Sequence, residues 1–349
     1  SADKVPDSLA DTVVGCAECH TLNPDAHDDT FSHQGAQVHT VVTPKDCAVC
    51  HPVEEKQFQK NIMAEAYGNL MDNAVYDSLI QVINGPMKID GMAIEHGTPD
   101  DRTQADACLS CHGTKLSVKK TITRNTKMGP LDFPEIKGWP NQGVGRVNPD
   151  GSKGSCAACH TRHQFAIEMA RKPETCSQCH KGPDVPAYKV YKVSKHGNIY
   201  TAMHKSEKWD FDAVPWTVGD DFTAPTCATC HVSHLTNADG DVLAERTHQM
   251  NDRLARRIFG LPYAHAHPKS ADTTKIKNRD GLPLPTAFDG TPAEKYLISE
   301  AERTERRQRL KQVCTGCHSR NWTDGHFEKL ENSIETTNAD TKVATQILM

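Results

Sequence analysis

The chain has 349 residues, of which 37% are hydrophobic and only 6% aromatic. This length suits one large or two ordinary domains, but the aromatic content is thin for a core of that size. The formal net charge of −5 and the lack of a basic stripe argue against nucleic acid as a partner. No run of 18 apolar residues occurs, so the sequence predicts no membrane span.

The cysteines are unusually numerous and regularly placed. All fourteen belong to C-x-x-C-H motifs, and seven motifs use every one. We number the motifs 1 to 7 in chain order: Cys16/Cys19/His20, Cys47/Cys50/His51, Cys108/Cys111/His112, Cys156/Cys159/His160, Cys176/Cys179/His180, Cys227/Cys230/His231 and Cys314/Cys317/His318. This motif is typical of c-type haem attachment. Two thiols about one helical turn apart add to the vinyl groups of one porphyrin, and the adjacent histidine binds its iron.

Three other interpretations of these motifs fit less well. Zinc sites do not require a histidine directly after every second cysteine. A disulfide framework leaves the histidines unexplained. A thioredoxin-like redox motif occurs once in a chain, not seven times. We therefore expect seven covalently bound c-type haems, which would supply much of the buried apolar surface. Because c-type haem is attached outside the cytoplasm, we also expect a periplasmic or otherwise exported protein whose Ser1 follows a cleaved export signal.

The predicted elements of the first half begin with helix. Apolar residues at helical spacing predict one long or two short helices over 52–84, between Pro52 and the Asn84-Gly85-Pro86 stop. Glycine and proline are frequent over 128–155, which predicts a connecting loop.

The second half is predicted to be largely helical as well. The sequence predicts helices over 163–171, 242–259 and 292–313, the last starting at a Thr291 capping box, and a long loop over 262–290. No alternation of period two stands out. The expected fold is therefore mainly α, with closely stacked haems, long loops and little or no sheet. The expected organisation is an N-terminal three-haem lobe (1–127), the loop 128–155, and a C-terminal four-haem lobe (156–349) that ends in helices.

Twelve histidines lie outside the motifs and are candidates for the second axial position on the irons: His27, His33, His39, His96, His163, His196, His204, His234, His248, His265, His267 and His326. Histidine is the usual second ligand of a low-spin electron-transfer haem. Twelve candidates for seven irons do not decide whether one iron is left open. An open iron would distinguish an enzyme from an electron carrier.

Several stretches carry a family resemblance: CHTRHQF (159–165), ARKPETCSQCHKGPD (170–184), SKHGNIY (194–200) and APTCATCH (224–231), with Thr247-His248 beyond them. They resemble the multihaem core of the hydroxylamine oxidoreductase family. That family includes octahaem enzymes that oxidise hydroxylamine or hydrazine, and relatives that reduce nitrite or hydroxylamine. The seven motifs match the family's second to eighth haems, so the first haem is missing.

The resemblance implies roles for individual residues. The family's catalytic haem, which lacks a distal protein ligand, corresponds to Cys108, Cys111 and His112. Asp184 matches an aspartate of the family's distal pocket and would assist protonation there. The resemblance implies distal iron ligands at His39, His163, His196, His248, His96, His326 and His265. For the motif at 108–112, His96 and His204 are possible caps.

Three departures from the family pattern bear on activity: the first argues against hydroxylamine oxidation, and the other two replace distal polar groups on which catalysis would depend. The chain ends 31 residues after His318, without the tyrosine segment that cross-links the catalytic porphyrin of a neighbouring subunit. Val185 stands where the family has a distal histidine. Phe259 stands where it has a distal tyrosine, although a shifted alignment brings Tyr263 to that place.

Two hypotheses remain. The first is an oxidoreductase that transfers electrons along bis-histidine haems to the haem of motif 3 and reduces nitrite or hydroxylamine there. The second is a pure electron-transfer cytochrome with every iron six-coordinate, acting as a subunit of a redox complex or a unit of an extracellular haem filament. Both imply redox partner proteins, and either allows a homo-oligomer or a multihaem complex. A small nitrogen-oxide substrate belongs only to the first.

Overall fold

The computed structural model describes residues 14–73, 76–182, 185–257, 263–274 and 291–348. Within them the helices are short except at the C-terminal end. The α-helices are α1 Ala17–His20, α2 Pro44–Cys47, α3 Pro52–Phe58, α4 Ala66–Met71, α5 Tyr76–Asn84, α6 Asp101–Asp106, α7 Cys108–His112, α8 Ile167–Arg171, α9 Pro173–Ser177, α10 Ala187–Val193, α11 Lys195–Met203, α12 Cys227–His231, α13 Glu300–Thr315 and α14 Arg320–Leu348. No described helix is long and apolar enough to cross a membrane.

The strands of the described chain form five small sheets. The strands are β1 Thr30–His33, β2 Ala36–His39, β3 Met87–Asp90, β4 Ala93–His96, β5 Ser117–Thr126, β6 Gly129–Lys137, β7 Trp216–Thr217, β8 Leu235–Thr236, β9 Val242–Ala244, β10 Arg256–Arg257 and β11 His265–Ala266. Three antiparallel hairpins, β1–β2, β3–β4 and β5–β6, precede motif 4. In the second half β8 pairs in parallel with β7 and antiparallel with β9.

The expectation of a mainly α fold with little or no sheet is therefore wrong, since eleven strands lie in the described residues. The longest hairpin, β5–β6, occupies 117–137 and includes the start of the stretch expected to be a loop. A β-bulge between Val118 and Lys120 shifts its register. Such a bulge breaks the strict alternation by which a strand is recognised in sequence. Strand β6 contains Pro130 and Pro134, which argue against a strand in sequence. The remaining strands, of two to four residues, are too short to leave a periodic pattern.

Three helix predictions need correction. Residues 52–84 form three short helices, α3, α4 and α5, rather than one or two. Residues 242–257 contain β9 and β10 and no α-helix. The helix predicted over 292–313 is α13, which starts at Glu300 instead, because the Ser299 hydroxyl caps it by accepting from the Glu302 N–H. Most of the loop predicted over 262–290 lies outside the described residues.

The main hydrophobic core lies in the second half of the chain. Trp216, Phe222 and Leu235 are almost completely buried and pack with five further buried side chains. The indole N–H of Trp216 donates to the Asp210 carbonyl over 2.9 Å. This cluster anchors the small β7–β8–β9 sheet directly beside α12, which carries motif 6.

Side chains from the first half hold the loop that carries His248. The backbone N–H of His248 donates to the Gln57 side chain over 2.8 Å, and that of Met250 donates to the Asn61 side chain over 2.6 Å. Asn61 is almost fully buried, so water does not compete for these bonds. The position of His248 is therefore set by residues almost 190 positions earlier.

We expect Leu235→Ala to lower the free energy of unfolding by about 2–5 kcal/mol, because it leaves a cavity at a side chain that is 0% exposed. Leu131→Ala, at a partly exposed position of β6, is the matched control and should cost less than about 1 kcal/mol. Denaturant midpoints of the haem-loaded proteins measure both. Equal losses in the two variants would contradict this assignment of the core.

Candidate haem sites

Each C-x-x-C-H motif folds as one helical turn. Motifs 3 and 6 form the helices α7 and α12. In the other five motifs the histidine N–H donates to the carbonyl of the first cysteine over 2.8–3.0 Å. Cysteines three positions apart on such a turn face the same side, with the histidine next to them. No disulfide joins any of the fourteen cysteines, and each keeps some exposed surface. This is the local geometry that two thioether bonds and a proximal ligand require.

The motifs lie beside one another through their sulfur atoms. Thiols of different motifs are close enough to share a hydrogen bond in three cases: Cys47 with Cys156, Cys111 with Cys179, and Cys176 with Cys227. The shared bond is the main cause that raises the pKa of Cys47, Cys176 and Cys179. In a haem-bound chain these sulfurs are thioethers that do not titrate, so the contacts matter as evidence of proximity.

Weaker electrostatic contacts join the remaining motifs. After burial, the charge of Cys47 in motif 2 is the next cause that raises the pKa of Cys19 in motif 1. The charge of Cys159 in motif 4 is one of the smaller causes that raise the pKa of Cys176 in motif 5. After burial, the charge of Cys314 in motif 7 is the next cause that raises the pKa of Cys230 in motif 6. These interactions place motif 1 near motif 2, motif 2 near motif 4, motif 4 near motif 5, motif 5 near motifs 3 and 6, and motif 6 near motif 7.

Cys50 is a predicted haem-attachment residue that the structure does not bring into these close thiol contacts. It is exposed, and the thiol of motif 2 that meets motif 4 is Cys47 instead. The charge of Cys50 reaches motif 1 only as the smallest of the causes that raise the pKa of Cys19. The two cysteines of motif 2 therefore differ in surroundings, one facing a neighbouring motif and the other facing outward. Attachment of a haem through Cys50 stays a prediction that depends on the motif spacing alone.

Histidine rings face one another at the spacing that an iron between them would set. Two imidazoles bound through nitrogen at about 2 Å on opposite sides of one iron have ring centres about 6 Å apart. Four pairs in the structure match: His20 with His39 at 6.0 Å, His20 with His163 at 6.5 Å, His160 with His248 at 6.3 Å, and His196 with His318 at 6.0 Å. Each pair joins a motif histidine to one outside the motifs. Within the described residues, the rings of His51, His112 and His231 have no such partner.

His180, the predicted proximal ligand of motif 5, is not a member of these four ring pairs. Its side chain is half-buried, and both its backbone N–H and its backbone carbonyl form hydrogen bonds. The His180 N–H donates to the Cys176 carbonyl over 2.9 Å, and the His180 carbonyl accepts from the Tyr188 N–H over 2.8 Å. A positive charge on His180 would also lower the pKa of His231 in motif 6, although burial is the larger cause there. The structure thus places His180, the last residue of motif 5, close to motif 6. Its role as an iron ligand stays a prediction.

Several motif histidines are also oriented as metal ligands are. The Nδ1 of His20, His112 and His231 contacts a backbone carbonyl, at His39, Ala66 and Met250 respectively, over 2.7–3.2 Å. A carbonyl only accepts, so Nδ1 carries the proton and Nε2 keeps its lone pair for a metal. Residue Ala66 of α4 therefore fixes the ring of His112.

Buried ring nitrogens without a hydrogen-bond partner mark further candidates: His96 Nδ1, His248 Nδ1, His265 Nε2 and His267 Nδ1. Leaving such a nitrogen unpaired costs about 1–3 kcal/mol, which coordination to iron would remove. His265 is the best example, because its Nδ1 donates to the Ala266 carbonyl over 2.6 Å while the buried Nε2 is left for a metal. In the sequence His267 is one of the twelve candidate ligands, but the family resemblance assigns it no role, and nothing in the sequence distinguishes it from a surface histidine.

Burial also keeps these imidazoles in the neutral form that binds metals. It lowers the pKa of His248 to about 4, helped by the nearby His160, and that of His267 to about 3, helped by Arg306 and Arg257. The pKa values of His160 and His196 fall for the same reason. The donor set and its protonation therefore fit haem iron.

A buried cluster near motif 2 behaves differently. The ring of His27 stacks on His39 at 3.6 Å and lies between the buried carboxylates of Asp29 and Asp46. Burial opposes charge on His27, but the Nε2 hydrogen bond to Asp46 and the Asp29 carboxylate 3.5 Å from Nδ1 outweigh it and raise its pKa to about 9. The Nδ1 of His39 contacts the Val41 carbonyl and its Nε2 contacts the Leu22 carbonyl, each over 3.0 Å.

Other predicted site residues lie elsewhere. His326 is exposed and stacks on Trp322, which in turn stacks on His318 at 4.0 Å. The His204 Nδ1 donates to the Tyr200 carbonyl within α11. His234 forms an ion pair with the exposed Glu245. Asp184 and Phe259 lie outside the described residues, so their predicted roles stay predictions.

Comparison with known proteins agrees with these sites. A family model described as "Seven times multi-haem cytochrome CxxCH" matches residues 145–251, and one described as "Cytochrome c554 and c-prime" matches 46–132. A solved structure described as a hypothetical multihaem protein is 41% identical, covers 100% of this chain and 73% of its own, and superposes with a TM-score of 0.85.

Two further relatives come from Kuenenia stuttgartiensis. A probable nitrite reductase–hydroxylamine oxidoreductase fusion protein is 32% identical over 188 residues, which is 50% of this chain but only 20% of the relative. A reducing HAO-like protein complex shares the fold, with a TM-score of 0.54 at 20% identity over 95% of this chain and 50% of that one. Fold and sites together define a c-type cytochrome with several covalently bound haems. The chain belongs to the multihaem c-type cytochromes, and it is similar to these two hydroxylamine oxidoreductase-like proteins in part of its sequence and in its fold.

We expect His248→Ala to convert about one seventh of the haem iron from low spin to high spin, because His248 faces His160. Low-temperature EPR of the oxidised protein measures the change. His234→Ala, at a histidine that pairs with an exposed carboxylate instead of a motif ring, is the control and should leave the spectrum unchanged. An unaltered spectrum for His248→Ala would remove His248 from the ligand set.

Proposed function

We propose that this chain is a seven-haem cytochrome that carries electrons along a continuous series of haem sites. The observation that supports this best is the set of facing imidazoles 6.0–6.5 Å apart at motifs 1, 4 and 7. A haem with an imidazole on each side has no open position for a substrate, and its iron gains and loses single electrons. The residues proposed to attach the haems are the fourteen cysteines, and the proximal ligands are the seven motif histidines.

The contacts between motifs support a path through the whole chain. The sulfur contacts of motif 2 with motif 4, and of motif 5 with motifs 3 and 6, keep the proposed haems close to one another. Motif 5 is the proposed branch point, since it lies near motif 4, motif 3 and motif 6. The ends of this series are the places where electrons would enter or leave, and redox partner proteins are expected there.

His163 is the better proposed partner of His20. Its ring centre lies 6.5 Å from that of His20, whereas the Nε2 of His39 is directed at the Leu22 carbonyl. His39 is also held by its stacking on His27, within the cluster that secures β1 and β2. The remaining distal ligands proposed are His196 and His248, with His265 favoured by its buried, unpartnered Nε2.

A second candidate function is the reduction of nitrite or hydroxylamine at the site of motif 3. Two observations favour it: motif 3 ends a branch of the series, and His112 faces no second imidazole among the described residues. The curated relative named as a nitrite reductase–hydroxylamine oxidoreductase fusion supports the substrate class, although the chain spans a fifth of its length. In this candidate Ala66 fixes the ring of His112, and Asp184 assists protonation. Export from the cytoplasm is part of both proposals, because c-type haem is attached outside the cytoplasm.

We expect the His163→Ala variant to gain a high-spin ferric signal from one haem, and His39→Ala to keep the wild-type spin state. The two variants are matched, because both histidines lie within 6.5 Å of His20. EPR and optical spectra distinguish them. The reverse result would make His39 the ligand and leave His163 as a surface residue.

The two candidate functions differ at one iron. Under the catalytic candidate, the oxidised wild-type protein shows a high-spin signal from about one haem in seven, and nitrite or hydroxylamine shifts it. Under the carrier proposal all haems are low spin and neither ligand changes the spectrum. His96→Ala adds a control, because a new high-spin signal in that variant alone would identify His96 as the cap on motif 3.

A further inference from the structure

Arg253 is a buried charge that no carboxylate of the described chain neutralises. Its side chain is almost completely covered, with 2% exposed, and haem bound at the motifs would only cover it further. Arg306 is buried to a similar degree, but it donates to the carboxylate of Glu302 over 2.6 Å. Taking a charge out of water is costly unless other groups stabilise it. The surroundings of Arg253 must therefore provide that stabilisation in another way.

Backbone carbonyls at the end of motif 6 stabilise this guanidinium. Its Nη1 donates to the carbonyls of Thr229 and Cys230, over 3.4 and 3.2 Å. Its Nη2 donates to the carbonyl of Ser233 over 3.2 Å and to that of Glu245. The last carbonyls of a helix have no partner inside it, and a cation there also interacts favourably with the helix dipole. Arg253 therefore caps α12 and secures the turn of motif 6.

The same contacts leave little of the guanidinium for another acidic partner. Both terminal nitrogens of Arg253 already donate to two carbonyls each. Paired recognition of a carboxylate, such as a haem propionate, uses two parallel N–H groups of the guanidinium. Since backbone carbonyls occupy the terminal nitrogens, Arg253 keeps its net positive charge next to motif 6.

The other charges close to Arg253 offset one another. Burial is the largest influence on the pKa of Arg253 and lowers it, but arginine keeps its proton in proteins. Asp252 raises this pKa and Arg309 lowers it, and these two residues form an ion pair with each other over 3.6 Å. A charge on Cys230 also contributes, but a thioether sulfur carries none. One uncompensated positive charge is therefore left.

This charge reaches the predicted proximal ligand of motif 6. Burial lowers the pKa of His231, and the charge of Arg253 lowers it further. The Nδ1 of His231 donates to the carbonyl of Met250, three residues before Arg253. One loop therefore both orients the ring and places the charge. A nearby positive charge stabilises an iron that has gained an electron, so it raises the reduction potential.

We propose that Arg253 is a positioning residue that holds the turn of motif 6 and raises the reduction potential of the haem attached there. The inference rests on the proposed electron-carrying function and adds a direction to it. Motif 5 lies near motif 6 through the contact of Cys176 with Cys227. Arg253 favours the transfer of one electron between these two sites, by which the iron of motif 5 is oxidised and that of motif 6 is reduced.

A spectroelectrochemical titration of the haem-loaded protein tests this proposal. Arg253→Gln removes the charge and should move about one seventh of the haem absorbance change to lower potential. A unit charge about 10 Å from an iron changes the equilibrium roughly tenfold at an effective dielectric constant of about 20, and tenfold is about 59 mV for one electron. Arg253→Lys keeps the charge and should recover most of the wild-type curve.

Arg102→Gln is the control for the loss of one positive charge. The Arg102 side chain is 92% exposed, so water and salt screen it and the titration curve should not move. Haem content and the low-spin EPR signals should be equal in all four proteins. Equal signals show that the axial ligands are in place, and a shifted potential then reports the charge and not a damaged site.

Two results would overturn the proposal: an Arg253→Gln curve that superposes on the wild type, and equal shifts for Arg253→Gln and Arg253→Lys. If Arg253→Gln yields no haem-loaded protein, Asp252→Asn gives a test of opposite sign. It removes the negative charge that offsets Arg309, so it should raise the potential of the same haem, and an unmoved curve would also overturn the proposal. A wild type that does not take up electrons reversibly would instead contradict the proposed function.

Discussion

The distance of about 6 Å between two imidazole rings is the constraint on which much of this molecule depends. The partner histidine comes from a different part of the chain in each case, so His163, His196 and His248 must be brought to rings far away in sequence. Short helices joined by loops and hairpins allow this, because each segment needs only to deliver a turn or a single side chain. Long regular elements would place too few residues at the required points.

Protonation follows from the same arrangement. Burial holds the pKa of His248 and His267 far below the ordinary value, so both stay neutral. His27 shows the opposite outcome at similar depth, because Asp29 and Asp46 flank it and raise its pKa to about 9. The ring it stacks on, His39, has its pKa lowered by burial and by the neighbouring charge of His27.

The sequence was sufficient for the local part of the sites and insufficient for the rest. The motif turns are local, and their one-turn geometry follows from the C-x-x-C-H spacing itself. The family resemblance predicts His163, His196 and His248 as distal ligands, and each ring centre lies 6.0–6.5 Å from that of a motif histidine, while their role as ligands stays a prediction. The pairing itself, the buried Nε2 of His265 and the candidate His267 depend on contacts between distant segments. The hairpins were missed because a bulge in β5, the two prolines of β6 and the shortness of the remaining strands obscure their alternation.

The two contacts that Gln57 and Asn61 make with the loop of His248 bear on how the molecule is made. That loop is held by side chains that leave the ribosome long before it does. Because synthesis starts at the N-terminus, Gln57 and Asn61 are made before the loop that they hold. A gene divided between motifs 3 and 4 would separate them, and the downstream product would carry His248 on a loop whose two anchoring amides had lost their acceptors.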